Sequence, residues 1–314
     1  MDYIIDSDLD GLTVLDFFKR ADGISRTLCK RLKFLPDGIL LNGEKVTVRA
    51  KLHTGDKLSL AIEDTEPSQN LSAVDIPLSI VFEDEDIVLP NKPSFMPTHP
   101  SHDHYDDTVA NALAFRYKEA TPPFVFRPVN RLDRNTSGLV LIARNRIAAS
   151  KLSSALQEGR ISKTYIALLD GYLAEDEGNI ETYIRRCGDS IIVRENCDRC
   201  GGGDYALTKY RVICRGGGHT LVFATPVTGR THQLRVHFAG LGSPISGDDL
   251  YGGGTELISR HALHAYSLTF PLPSTDEEIT LYAPLQEDMR RAISSAFGDC
   301  SSLCPALQEI LKRK

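Results

Sequence analysis

Beyond residue 74 the chain offers eight short strand-like segments and only three helix-like ones, in no regular βαβ order. That mixture constrains the fold more than any other feature. The strand-like runs are Ser79–Phe82, Ile87–Leu89, Leu139–Ala143, Thr164–Leu169, Thr208–Ile213, Thr220–Ala224, Leu263–Phe270 and Glu278–Tyr282. Helical periodicity marks Asp106–Glu119, Asn145–Glu158 and the stretch after Arg230. Strands and helices mixed without a crossover rhythm predict an α+β fold on a mixed, mainly antiparallel sheet.

The first 62 residues read as a smaller α/β unit. An amphipathic helix begins at Thr13-Val14-Leu15, and Ser25 is a plausible N-cap for a second over Arg26–Phe34. Asn42-Gly43 is a two-residue hairpin signal between Ile39-Leu40-Leu41 and Lys45-Val46-Thr47-Val48, and Leu58–Ile62 alternates as a further strand. Two helices followed by a small sheet resemble the S4 RNA-binding module. The likeness rests on Gly23-Ile24-Ser25-Arg26, Leu41-Asn42-Gly43-Glu44-Lys45-Val46 and Leu52-His53-Thr54-Gly55-Asp56. Glu63–Ala73, with Pro67, Ser68, Gln69 and Asn70, reads as a polar linker. The boundaries expected are therefore 1–62, 63–73 and 74–314.

The net charge of −6 argues against a globally basic nucleic-acid binder. Phe17–Leu52, however, holds nine basic residues against three acids, a local +6 able to guide a polyanion. Arg26, Lys30 and Arg31 on the second helix are its candidate contacts. No apolar run approaches the roughly 20 residues that span a bilayer, and the N-terminus is acidic, so a cytoplasmic protein without membrane contact is expected. Seven cysteines at irregular spacings predict free thiols. Cys197 and Cys200 have metal-like spacing but no second close pair, so they read as part of a Gly-rich loop, with no metal bound. A zinc-stabilised interaction domain is the alternative that this pair leaves open.

Three segments carry chemistry. In Arg131-Leu132-Asp133-Arg134-Asn135-Thr136-Ser137-Gly138, a carboxylate stands between two guanidinium groups ahead of an apolar strand. Neighbouring positive charge favours the ionised form, which serves as nucleophile or base. An Asp closing a turn onto Thr136 or Ser137 reads the same way. In Gly229-Arg230-Thr231-His232-Gln233-Leu234-Arg235, the apolar residues Leu234, Phe238 and Leu241 mark a helix face. Arg230 then stands just before a helix N-terminus, where anions are attracted. His232 and His237 are five apart, which does not suit metal ligands on one helix face, and they read as packing or RNA-contacting residues. In Lys163-Thr164-Tyr165 the cation and the phenol share a sheet face, an arrangement able to stack on a nucleobase, although a strand Tyr is usually core.

Taken in order, these segments resemble RluA-type pseudouridine synthases. Asn91-Lys92-Pro93, Gly247-Asp248-Asp249-Leu250-Tyr251-Gly252, Leu263-His264-Ala265 and Ala283-Pro284-Leu285 extend the likeness from Ile80 to Leu285. The resemblance implies cofactor-free isomerisation of uridine to pseudouridine in RNA, ribosomal RNA more than transfer RNA, by a monomer. It implies Asp133 as the catalytic carboxylate, Tyr165 stacked on the flipped uracil and Arg230 paired with Asp133. Arg131, Arg134 and Lys163 are its candidate phosphate contacts. The chain departs from the family pattern at Asn130, where His is usual, and at Phe95, where Gly is usual. A non-catalytic RNA-binding relative is the competing class.

Overall fold

The N-terminal elements begin where their caps dictate. After β1 (Asp2–Ile4), the Thr13 hydroxyl accepts from the Asp16 amide and starts α1 (Val14–Arg20), and Ser25 does the same for α2 (Arg26–Phe34) through Leu28. β2 (Ile39–Leu41) and β3 (Glu44–Lys45) turn back through Asn42 and Gly43 at φ 53° and 86°, the left-handed pair such a turn needs. β4 (Lys57–Leu60) completes a sheet in the order β1-β4-β2-β3. Val14, Phe17, Leu28, Leu32, Leu52 and Leu58 form a core of their own, touched from outside by Ile147. The polar stretch that follows is tied down at its start. Arg127 Nη2 donates to both oxygens of the buried Asp64 at 2.6 and 2.7 Å, and Arg146 Nη2 lies 2.5 Å from Oδ1.

This computed structural model describes residues 1–21, 23–188, 190, 192–298 and 305–312. Beyond the first unit run β5 (Ser79–Glu83), β6 (Ile87–Lys92), α3 (Val109–Arg116), β7 (Arg127–Pro128), β8 (Ser137–Leu139), β9 (Ile142–Ala143) and α4 (Arg146–Gln157). Then come β10 (Ser162–Asp170), β11 (Glu177–Arg186), β12 (Arg194–Cys197), β13 (Asp204–Gly216), β14 (His219–Pro226) and α5 (Gln233–Gly240). β15 (Leu263–Pro271), β16 (Glu278–Tyr282), α6 (Glu287–Phe297) and α7 (Pro305–Lys312) follow. One large sheet runs β12-β11-β13-β14-β10-β15-β8-β6-β9-β7, with β16 beside β15 and β5 beside β6. The α+β reading and its mainly antiparallel sheet hold.

Several elements differ from the sequence reading, which expects neither α6 nor α7. Leu139–Ala143 is two strands, because β8 pairs with the end of β6 (Asn91 opposite Leu139) and β9 with its start (Val88 opposite Ile142). β11 was not expected, since its apolar residues are few, yet Ile180 and Ile184 are buried. The Cys197–Gly203 stretch is not simply a loop. Cys197 ends β12 opposite Tyr183, and a short turn leads straight into β13. Cys29, Cys187, Cys197, Cys200 and Cys214 are free thiols, and Cys300 and Cys304 lie outside the described residues. Among the described residues no three His, Cys, Asp or Glu side chains gather to hold a metal, and no helix is long and apolar enough to cross a membrane.

The sheet has one parallel joint among the described residues, β15 against β8, with His264 opposite Ser137 and Ala265 opposite Gly138. Gly138 sits at φ 111°, and a Cβ there would lie 2.3 Å from the Ala265 carbonyl oxygen. Only glycine fits so close an approach. Gly138→Ala is therefore expected to destabilise the protein by about 3 kcal/mol or more, from backbone strain and overpacking together. Denaturant unfolding of both proteins measures it; equal midpoints would show that the joint yields.

Candidate active site

The loop from Leu132 to Thr136 enters β8 at this parallel joint, and its backbone is held at successive carbonyls. The Thr98 hydroxyl donates to Leu132 O at 3.1 Å and accepts from the Leu132 amide at 3.2 Å. Lys92 Nζ donates to Arg134 O at 3.0 Å, and also to Pro93 O and Met96 O at 2.9 and 2.7 Å. Arg260 Nη1 donates to Asn135 O at 3.1 Å while its Nε and Nη2 grip Asp288 at 2.7 and 3.0 Å. The Thr136 amide closes the turn onto Asp133 O at 3.1 Å. Lys92 and Arg260 are 0% and 1% exposed. Burial pulls the Lys92 pKa down to about 7, Arg260 adds to that, and Asp133 opposes it. Three carbonyl acceptors match the three donors of its charged form.

This clamped backbone presents Asp133 with its side chain one-third exposed and two groups at its Oδ2: Arg235 Nη1 at 3.8 Å and His232 Nε2 at 3.9 Å. Both come from the α5 turn, which is built by its own residues. Gln233 Oε1 accepts from the Thr228 hydroxyl at 2.7 Å and the Arg230 amide at 3.0 Å, and Gln233 Nε2 donates to Leu207 O at 2.9 Å. His232 caps the helix at φ 58° and meets the Tyr251 hydroxyl through Nδ1 at 2.9 Å. Burial pulls the pKa of His232 down, and Asp133 opposes that shift. Arg235 forks onto the buried Asp248 at 2.7 and 2.6 Å and lies over the Tyr251 ring at 4.9 Å. Such a bidentate pair fixes the guanidinium plane. Tyr165 is buried on β10, and burial, then the Asp133 carboxylate, raises its pKa, so it is a neutral phenol at pH 7.

A profile of the RNA pseudouridylate synthase family matches residues 86–240. An RNA pseudouridine synthase of Bacillus subtilis (strain 168), YjbO, is 39% identical over 271 residues, covering 86% of this chain and 95% of that one. The chain belongs to this family. Ribosomal large subunit pseudouridine synthase D of Vibrio cholerae is 37% identical over 276 residues, covering 82% and 84% of the two chains. Among solved structures, Human RNA Pseudouridylate Synthase Domain Containing 1 aligns with a TM-score of 0.55 at 31% identity, over 68% of this chain and 86% of that one. The protein is thus an RNA pseudouridine synthase of RluA type, and its substrate is RNA.

The family motifs meet in one place. Asn91 Nδ2 donates to Pro284 O at 3.1 Å, Ser137 Oγ meets His264 Nδ1 at 2.9 Å, and His264 Nε2 donates to Ala283 O at 3.3 Å. Asn130, standing where His is usual, accepts from the Leu141 amide at 2.7 Å and donates to Leu139 O at 3.3 Å. Both are neutral backbone bonds, which an amide makes without a titratable ring.

One expected pairing is corrected. Arg230 does not face Asp133: its Nε donates to Tyr205 O at 3.0 Å and its Nη1 lies 3.9 Å from Asp204, with the side chain exposed. The guanidinium beside Asp133 belongs to Arg235, one turn into α5, where Asp248 aims it. Arg131 and Arg134 are exposed on either side of Asp133, and the half-buried Lys163 lies near Gly229. Arg26 and Lys30 are exposed and Arg31 half-buried, on α2. A separate cavity of about 310 Å³, lined by Thr164, Arg211, Phe223, Tyr266 and Tyr282 among others, does not include Asp133. Tyr165 does not line that cavity either.

Three histidines near these motifs are buried neutral. Burial holds His237 at about 4 and His264 at about 3, and pulls His261 well below 6.5. The unfolded chain takes these protons near pH 6.5 and the folded one only far lower. Their contribution is whole above about pH 6.5 and is lost as pH falls toward 4, up to roughly 3 kcal/mol each for His237 and His264. The unfolding free energy measured from pH 7.5 to 4.5 is expected to fall steadily below pH 6.5. A flat profile down to pH 5 would mean that these rings are charged in the fold.

Proposed function

We propose that Asp133 is the group that acts on the target uridine, and that the target lies in large-subunit ribosomal RNA. The observation that carries this reading is a part-exposed carboxylate on a clamped loop, with Arg235 and His232 at one oxygen and its charge felt by the buried Tyr165. Reactant and product of the isomerisation share one formula, so its balance calls for no redox partner and no group donor, and the synthase is proposed to work without a cofactor. The uridine first leaves its stack, at a cost of a few kcal/mol. Asp133 then engages the ribose or the uracil as the N-glycosidic bond breaks. The uracil turns against Tyr165, a C–C bond forms between C5 and the ribose, the C5 proton leaves, and N1, freed of the ribose, takes up a proton, so that the formula is unchanged. Arg235 offers positive charge without mobility, because Asp248 holds its other edge. Arg131, Arg134, Lys163 and the exposed Arg230 are proposed to meet phosphates around the cleft. The first 62 residues are proposed to be an S4-like RNA-binding unit, with Arg26, Lys30 and Arg31 on its basic helix. The named large-subunit synthase among the relatives supports ribosomal RNA over transfer RNA.

Asp133→Asn keeps the shape and removes the charge. Tritium release from RNA labelled at uridine C5 is expected to fall by at least roughly a thousandfold, with RNA affinity within about threefold of the unsubstituted protein. Appreciable turnover by this variant would remove Asp133 from the chemistry. Arg235→Lys keeps a charge but loses the fork. It is expected to lower kcat by about tenfold or more with little change in RNA affinity. An unchanged kcat would mean that the Arg235 contact to Asp133 is incidental.

A further inference from the structure

Six non-glycine residues among those described have positive φ: Asn42, Asn70, Phe95, Asp103, His232 and Asp276. Asn and Asp tolerate that region, which leaves His232 and Phe95 as the costly cases. His232 stands at Asp133. Phe95, at φ 63°, belongs to the segment that clamps the Asp133 loop. The neighbours of Phe95 impose its conformation. The Ser94 amide and hydroxyl both donate to Gln286 Oε1, at 3.2 and 3.0 Å, and Met96 O accepts from Lys92 Nζ, the ammonium that also holds Arg134 O. A glycine would adopt this φ without strain. The chain instead places a large aromatic there and leaves it 47% exposed, so burial does little to offset the strain. A strained, outward-facing aromatic between the anchors of a reactive loop serves something outside the fold.

Given Asp133 as the reacting group, we propose that Phe95 is a stacking platform for an RNA base next to the target uridine. A base displaced from its own stack loses a π-face contact, and an aromatic ring restores one without reading sequence. The exposed Arg131 and Arg134 flank the same loop and suit the accompanying phosphates.

The test compares Phe95→Asn and Phe95→Tyr with the unsubstituted full chain. It reads RNA affinity and tritium release on a large-subunit ribosomal RNA transcript, and the urea midpoint of each protein. Asn suits the left-handed backbone and removes the ring, so its midpoint is expected at or above that of the unsubstituted protein while kcat/KM falls about tenfold. Tyr keeps the ring and is expected to stay within about twofold of Phe. Full kcat/KM and affinity for Asn would overturn the proposal. So would a lowered midpoint for Asn, which would make Phe95 a packing residue, or a loss for Tyr equal to that for Asn. Absence of tritium release from the unsubstituted protein would count against large-subunit ribosomal RNA as the target in the proposed function. Equal RNA affinity of Asn and Phe counts against Phe95 alone.

Discussion

Two buried cations, Lys92 and Arg260, hold the backbone of the Asp133 loop, and the rest of the site depends on that hold. A buried charge is tolerated only where it is paired or fully hydrogen-bonded. Lys92 meets three carbonyls and Arg260 meets Asp288 and three more, at Asn135, His261 and Leu263. The arrangement is costly to build and strongly destabilising to break by halves. Its return is a part-exposed carboxylate whose backbone position is set by groups buried from solvent. The same logic recurs at α5, where the buried Asp248 fixes Arg235 so that one edge of the guanidinium remains for Asp133.

The parallel joint between β8 and β15 places this loop. β8 runs beside β15 on one side and β6 on the other, so the residues just before it are reached from both strands. Lys92 arrives from the end of β6 and Arg260 from just before β15. Gly138 permits the close approach at Ala265 that brings the three strands together.

Much of this was legible in the sequence, and the remainder was hidden for definite reasons. Caps and turns act within a few residues, so Ser25, Asn42-Gly43 and the helices at Arg26–Phe34 and Arg146–Gln157 were read closely. The run around Asp133 stood out because charges crowd ahead of an apolar strand. Its anchors did not, because Lys92 is 42 residues from Arg134 and Arg260 is 125 from Asn135. The family motif around Lys92 marked the place without giving the role. The sequence reading took Arg230 in place of Arg235, since the true choice turns on Asp248, 13 residues past Arg235 and buried with it. β11 escaped because it carries few apolar residues and faces solvent on one side.

With its backbone held by Lys92 and Arg260, the Asp133 loop is set before RNA arrives. Crystal structures of the Asp133→Asn protein, free and bound to a uridine-containing RNA stem, test it most directly. With the sheet superposed, the backbone of residues 132–136 is expected to move by less than about 1 Å, with the Lys92 and Arg260 bonds to Arg134 O and Asn135 O kept in both. A shift of more than about 2 Å, with those bonds exchanged on binding, would contradict the account and make the loop a product of the RNA complex.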